Sequence, residues 1–202
     1  MLSQLRPALV LLVLFTLLTG IAYPLAVTGI AQAVFPAQAN GSLQIRDGKT
    51  IGSALIGQSF ALSRYFQGRP SATSATDPAD AAKTIDAPYN AANSSGSNLG
   101  PLSQKLIDRV KTDISARRDA GFAGSIPADA VTTSASGLDP HISPKFALAQ
   151  VPGVAKARNM PEDKVRQLVE SRIEVPLLGV VGERQVNVLL LNIALDALGS
   201  SS

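Results

Sequence analysis

Side chains of the three types used in hydrolytic catalysis occur together in GLDPHISP, residues 137–144. This stretch contains His141, the only histidine of the chain, with Asp139 and Ser143 two positions to either side. In a hydrolytic triad, an imidazole takes the proton of a serine hydroxyl while a carboxylate orients the imidazole. The groups of known triads converge from separate parts of the chain rather than from one turn. We therefore expect no hydrolytic site here.

Local structure accounts for the same three residues. Ser143 directly precedes Pro144, an order typical of a helix N-cap followed by proline in the first turn. Asp139 precedes Pro140, and an aspartate in a turn commonly accepts a hydrogen bond from its own backbone. His141 is then a polar group that the turn displays, and we expect it to form a hydrogen bond within that turn.

The N-terminal part of the chain lacks charge over a long distance. No Asp, Glu, Lys or Arg occurs between Arg6 and Arg46, and residues 8–35 are almost wholly apolar. Such a segment is long enough to cross about 30 Å of hydrocarbon as a helix. The alternative is a signal peptide cleaved after the small-residue pattern at 37–39, but the apolar segment is longer than signal peptides require. The sequence predicts a retained transmembrane anchor at 8–35.

The charges around this anchor indicate its orientation. Arg6 and the α-amino group precede the anchor closely, whereas the next cations, Arg46 and Lys49, follow at a distance. Positive charge near a membrane helix favours the cytoplasmic side, and large domains translocate largely regardless of charge. We expect residues 1–7 to form a short cytoplasmic N-terminus and residues 36–202 to form a soluble domain outside.

The soluble part mixes strand and helix signals. Short strands are expected within 42–60, joined by a hairpin turn at Asp47-Gly48. Residues 69–101 are rich in small and polar side chains and predict a long surface excursion. Apolar spacing and proline positions predict helices at 101–121, from Ser143 and at 160–171, then a buried strand and a short helix after Gly182. Pro152 is expected to end or kink the helix that starts at Ser143. The fold class is α+β, one N-terminal transmembrane helix followed by a single mixed helix and strand domain.

Composition excludes several classes of site. The chain has no cysteine and one histidine, so it lacks the usual ligands of a structural zinc ion as well as any disulfide. Its 18 Lys and Arg and 15 Asp and Glu are interspersed, and its aromatic residues are scattered. The charged side chains of the 101–121 helix are expected to lie mainly on a solvated face. Because basic patches and stacking platforms are lacking, we expect no nucleic-acid partner.

Several stretches match one known family in order along nearly the whole chain. They are RPALVLL, TGIAYPLAVTGIAQAVFPAQANGSL, GSALIGQSF, YFQGRPSA, GSNLGP, VTTSASGLDPHISP, QVPGVAKAR and VNVLLLNIALD. The chain resembles the C subunit of the high-affinity, ATP-driven potassium transporter of bacteria, the Kdp complex. GLDPHISP and YFQGRPSA are the most specific of these motifs.

The resemblance implies an accessory subunit without catalytic chemistry of its own, in the bacterial inner membrane. Its implied partners are a P-type ATPase subunit, a potassium-binding channel-like subunit and membrane lipid. The family has also been described as a catalytic chaperone that raises the ATP affinity of the ATPase subunit. A glutamine implicated in nucleotide contact falls on Gln150, so ATP would be a ligand shared with that subunit, and no tightly bound cofactor is expected.

The matching motifs also imply residues with structural or interface roles. These are Arg6, Pro7, Tyr23, Pro24, Arg69, Asn98, Asp139, His141 and Ser143. For His141, the resemblance adds a contact with another subunit as a second possible hydrogen-bonding role.

Two observations oppose nucleotide binding. ATP is cytoplasmic, whereas the predicted topology places Gln150 outside the cell. Ser95 stands where the family loop usually has glycine, and Gly153 stands where a basic residue is common. Both departures weaken the interpretation of these segments as phosphate-binding sites. Assembly or stabilisation of the pump is therefore expected, and the alternative is a membrane-anchored exported binding domain or hydrolase that acts alone.

Overall fold

The computed structural model describes residues 2–176, 179 and 182–199. The chain forms two compact units, Met1–Ser53 and Ala54–Ser202. The expected start of the soluble domain at residue 36 stays a prediction.

The first unit contains the one helix, among the described residues, that is long and apolar enough to cross a membrane, Leu5–Val34. It consists of α1 (Leu5–Leu17), a π-helical turn (Leu18–Ala22) and α2 (Tyr23–Val34), preceded by a 3-10 turn and followed by the short α3 (Pro36–Ala39). This confirms the expected single apolar helix at the N-terminus.

The π-helical turn lies directly before Pro24. Proline has no N–H to donate, and in a regular helix its ring clashes with the carbonyl group four residues earlier, which here belongs to Gly20. In the structure, the N–H of Tyr23 bonds to the carbonyl oxygen of Leu18, five residues back. The wider turn accommodates the proline without ending the helix.

A β-hairpin completes the first unit. Strands β1 (Leu43–Arg46) and β2 (Lys49–Ser53) pair in antiparallel register. Asp47 and Gly48 have positive φ angles of 51° and 74°, as the two central residues of a type I′ turn require. The predicted hairpin at Asp47-Gly48 is confirmed.

In its described residues, the second unit combines small sheets with four helices. Its strands are β3 (Ser74–Asp77), β4 (Asp80–Asp86), β5 (His141–Ile142), β6 (Ile173–Glu174) and β7 (Gln185–Asn187). Its helices are α4 (Gln104–Asp119), α5 (Pro144–Arg158), α6 (Glu162–Ser171) and α7 (Val188–Gly199), with a 3-10 turn at Ala128–Ala130. β3 pairs with β4, and β7 lies between β5 and β6 in an antiparallel sheet. The expected α+β class is confirmed.

The hydrophobic core lies among α5, α6, α7 and the three-stranded sheet. Its fully buried side chains include Phe66, Phe146, Val165, Leu191 and Leu195. Burying each such side chain contributes roughly 1.5–3 kcal/mol relative to leaving it exposed. Because Phe66 comes from the irregular segment before β3, that segment is fixed to the helical core.

The structure adds detail to three local expectations. Residues 69–101, expected to be a long surface excursion, contain the β3–β4 hairpin, whose Ala, Ser and Asp side chains give little strand signal. The helix expected from Pro101 begins at Gln104. Pro152, expected to end or kink its helix, does not end α5, which continues to Arg158 because Val151, Val154 and Ala155 are buried on its inner face.

Candidate functional site

The turn before α5 is held by Asp139. One of its carboxylate oxygens, Oδ1, accepts a hydrogen bond of 2.9 Å from the backbone N–H of His141, as expected of a turn aspartate. The other, Oδ2, lies 3.1 Å from Nη1 of Arg69. Partial burial alone would raise the pKa of Asp139, but the hydrogen bonds from His141 and the charge of Arg69 outweigh it and lower the pKa.

Arg69 links this turn to two other segments. Its guanidinium donates to the backbone carbonyl oxygens of Thr132 and Thr133, at 3.4 and 3.3 Å. Its own carbonyl oxygen accepts a 2.6 Å hydrogen bond from the hydroxyl of Tyr89. Burial raises the pKa of that hydroxyl to about 12, so Tyr89 acts here as a hydrogen-bond donor at neutral pH.

Two glycines make room for the Tyr89 ring. A Cβ atom on Gly57 would lie 2.5 Å from Cε1 of the ring and 2.7 Å from the carbonyl oxygen of Asp139. A Cβ atom on Gly68 would collide with the tyrosine oxygen. The stretches GSALIGQSF and YFQGRPSA therefore contain glycine at these positions because a larger residue would clash with Tyr89, and the sequence alone did not indicate this.

His141 and Ser143 do not form a catalytic pair. The Ser143 hydroxyl donates to Asp129 at 3.0 Å and accepts from the backbone N–H of Phe146 at 3.0 Å, which is the predicted N-cap of α5. His141 lies in β5, with Nε2 3.4 Å from the side-chain amide of Asn187 and 3.7 Å from Glu174. The absence of a hydrolytic site and a contact of His141 with another subunit both stay predictions.

Gln150 is buried and both ends of its side-chain amide are engaged. Its oxygen accepts from the backbone N–H of Gln67 at 2.8 Å, and its nitrogen donates to the carbonyl oxygen of Gln67 at 3.0 Å. This pairing gives Gln150 a structural role in the conformation described. Its contact with a nucleotide stays a prediction.

Asn192 forms the same arrangement with the preceding residue. Its amide accepts from the N–H of Phe66 and donates to the carbonyl oxygen of Phe66, both at 2.9 Å. A third amide, that of Asn187, donates to the carbonyl oxygen of Ala54 at 2.8 Å and accepts from the N–H of Leu190. Side chains of α5, β7 and α7 therefore fix the irregular segment 54–67, which we term the strapped segment.

Sequence reasoning missed this role of Asn187 and Asn192. The available signal was the presence of two amides inside the apolar run VNVLLLNIALD. Amides in buried positions require partners, because an unpaired buried polar group is costly.

The remaining residues implied by the motifs occupy different places. Asn98 is exposed and has a positive φ of 49°, in a loop where Gly96 packs against the backbone of Ala135. Arg6 and Pro7 lie in the first turn of α1, and Tyr23 and Pro24 lie at the start of α2, all in the first unit. Roles of these five residues at interfaces stay predictions.

Two adjacent grooves open on the surface of the second unit. The larger, of about 670 Å³, lies between α4 and the segments 67–72 and 86–99. The smaller, of about 460 Å³, lies between the C-terminal end of α4 and α5, and includes Gln150 and Gly153 in its lining. Gln67 and Arg117 line both grooves.

The expectation that the charged residues of the 101–121 helix are solvated is wrong for two arginines. Arg109 and Arg117 lie on the inner face of α4, where Arg117 is 5.1 Å above the ring of Phe146 and donates to Gln67 Oε1 at 2.5 Å. Ile107 and Ile114 are exposed instead. No group of three or more metal-binding side chains was found among the described residues.

Comparison with known proteins gives the family. Residues 5–197 match the family described as "KdpC: K+-transporting ATPase, c chain". The chain belongs to the KdpC family. It is 62% identical over 198 residues to the potassium-transporting ATPase KdpC subunit of Methylorubrum populi. The aligned region covers 98% of each chain.

Other KdpC relatives extend over the same length. That of Bradyrhizobium diazoefficiens is 62% identical over 196 residues, with 97% of this chain and 98% of the relative covered. That of Rhodopseudomonas palustris BisB18 is 59% identical over 197 residues, with 98% and 99% covered. The KdpC match therefore includes the apolar helix as well as the α+β domain.

Proposed function

We propose that this KdpC chain is a non-catalytic subunit that assembles or stabilises a potassium-transporting P-type ATPase. Its proposed partners are the ATP-hydrolysing subunit and a channel-like, potassium-binding subunit. The observation that carries the proposal is the match over residues 5–197 to a subunit family of a K+-transporting ATPase.

The described side chains support a role without catalysis. Asp139, Ser143 and Gln150, the polar groups singled out by the sequence, are engaged in hydrogen bonds that hold the fold. The one membrane-spanning candidate helix of the described residues does not enclose an ion pathway by itself, so we propose that potassium passes through another subunit. The alternative of an exported domain acting alone loses its support, since relatives of the same length are named as ATPase subunits.

We place the N-terminus in the cytoplasm and the α+β domain outside, with the chain crossing the membrane once. The support is the charge order around Leu5–Val34, with Arg6 close to its start. Fusions of a periplasmic and a cytoplasmic reporter enzyme to the C-terminus test this orientation. Activity of the cytoplasmic reporter alone would contradict it.

The implied role in ATP affinity depends on that orientation. An outside domain meets no cytoplasmic ATP, and the amide of Gln150 is already paired with Gln67. We therefore propose that any effect on ATP affinity is transmitted through the ATPase subunit. Photo-crosslinking of the intact complex with an azido-ATP tests this, and labelling of this chain at Gln150 would overturn it.

Deletion of the chain tests the proposed function as a whole. We expect the remaining subunits to purify in poor yield and to lose potassium-stimulated ATPase activity, and expression of the chain from a plasmid to restore both. Full activity of the complex without this chain, together with its isolation as a stable monomer, would refute the proposal.

A further inference from the structure

The larger groove carries a line of charge that the family assignment does not explain. Four residues of α4 line it at intervals of four positions, namely Lys105, Arg109, Asp113 and Arg117. Residues at this spacing lie on one face of a helix. Across the groove the lining includes Arg69 and, at its edge, Asp86.

The cations of this groove are incompletely paired. Arg109 donates to Asp113 at 2.8 Å, but its Nε is buried and has no hydrogen-bond partner among the described residues. Arg117 donates to the neutral oxygens of Gln67 and Ala130 rather than to a carboxylate. Burial lowers the pKa of Arg117, which reflects the cost of placing its charge away from water.

The net charge of the groove is therefore positive. Four cationic side chains face two carboxylates, and Lys105 is exposed in the first turn of α4. Arg69 is paired with Asp139 and Arg109 with Asp113, which leaves Lys105 and Arg117, at the two ends of the line, without a carboxylate partner at salt-bridge distance among the described residues. The lining also includes the hydroxyl groups of Ser59, Ser97 and Thr133.

The dimensions of the line fit an extended chain. From residue 105 to residue 117 a helix rises by about 18 Å. An extended polypeptide advances about 3.3 Å per residue, so roughly five residues span that distance. A single small anion would engage only one end of it.

We infer that this groove, which we term the α4 groove, binds an extended acidic segment of another subunit of the same complex. Its carboxylates would lie against Lys105 and Arg117, the cations at the two ends of the line. The inference rests on the proposed function insofar as the occupant belongs to a partner subunit. Charge complementarity and the length of the line select an acidic peptide over a small anion.

Site-specific photo-crosslinking in the intact complex tests the occupant. A benzophenone amino acid is placed at Lys105 in the groove, and at Lys111 as a control on the exposed side of the same helix. We expect the residue 105 probe to capture a partner peptide containing several Asp or Glu residues, identified by mass spectrometry, and the residue 111 probe not to capture it. Capture of lipid alone, of nucleotide alone, or of a peptide without acidic residues would overturn the inference.

Charge reversal tests whether Lys105 contributes to binding of the partner segment. Lys105→Glu and Lys111→Glu change the charge equally at exposed positions of α4, so neither is expected to unfold the domain. We expect Lys105→Glu to reduce the chain retained on the purified complex roughly fivefold after a salt wash, and Lys111→Glu to have no effect. Equal retention of the two variants refutes the α4 groove while leaving the proposed function intact, whereas failure of the wild-type chain to co-purify refutes the proposed function itself.

Discussion

Asp139 shows how one side chain joins separate parts of the sequence. It fixes its own turn through the N–H of His141 and reaches Arg69, which lies 70 positions earlier. Removing one partner of such a pair leaves the other group without compensation, and this makes the pair sensitive to substitution.

Replacing Asp139 with Asn should lower the free energy of unfolding by about 1–2 kcal/mol at neutral pH. The pKa of Asp139 is lower in the folded state than in the unfolded state, where it is about 3.9. The contribution of Asp139 to the free energy of unfolding is therefore fully present above the unfolded-state pKa and is lost as the pH falls through the folded-state pKa. The difference between wild type and variant should therefore shrink below pH 4.

Denaturant titrations at pH 7 and pH 3 measure this difference. Asp119→Asn, at the exposed C-terminal end of α4, is the control and should change stability little at either pH. A difference for Asp139→Asn that stays constant with pH would contradict the assignment.

Gly57 gives a second residue-scale prediction. Gly57→Ala places a methyl group against the Tyr89 ring and the Asp139 carbonyl oxygen, and should destabilise the fold by about 1–3 kcal/mol. Gly100→Ala is the matched control, since no heavy atom lies within 4 Å of a Cβ atom there. Thermal melting compares the two, and equal melting temperatures would show that the Tyr89 pocket relaxes freely.

At the scale of elements, the amide pairs of the strapped segment are the most informative feature. Gln150 and Asn192 bond both backbone groups of adjacent residues, Gln67 and Phe66. These side chains of α5 and α7 thereby bond the backbone of the irregular segment as a neighbouring strand would, and its polar groups are satisfied inside the core.

Replacing Gln150 with Met should expose the consequence of losing one pair. The backbone N–H and C=O of Gln67 lose their partners, so we expect about 2 kcal/mol lower stability and faster hydrogen exchange at Gln67. Asn192→Leu should have the same effect at Phe66 and thus serves as the matched comparison. Reduced nucleotide labelling with unchanged exchange at Gln67 would indicate instead that Gln150 acts on a ligand.

The start of α5 offers a test of capping with an internal control. Ser143→Ala removes the bond to the N–H of Phe146 and should cost about 1 kcal/mol of stability. Ser103 occupies the N-cap position of α4 without a side-chain capping bond, so Ser103→Ala should cost much less. Chemical denaturation distinguishes them, and equal losses would contradict the capping assignment.

At the scale of the whole molecule, the chain divides into an apolar unit and an α+β unit. The second unit, Ala54–Ser202, contains all of the buried hydrophobic core residues described. We expect a fragment of residues 54–202 to be soluble without detergent and to melt cooperatively, whereas the full chain requires detergent because of Leu5–Val34. A fragment that aggregates, or that lacks a cooperative transition, would show that the first unit is needed for folding.

The sequence by itself determined the features that depend on local chemistry. The apolar helix, the type I′ turn at Asp47-Gly48 and the Ser143 cap follow from length, backbone conformation and neighbouring residues, and each was predicted. The family motifs in their order along the chain were likewise sufficient for the KdpC assignment.

Only the tertiary structure decided how distant polar groups meet. The pairing of Arg69 with Asp139, the amide pairs of Gln150 and Asn192, and the inward direction of Arg109 and Arg117 join segments up to 126 positions apart. The spacing of apolar residues alone predicted that the arginines of α4 are solvated. That spacing takes no account of the ability of arginine to stack on buried rings and to donate to carbonyl groups. The polar interior of this domain arises from such long-range pairing, which no local pattern encodes.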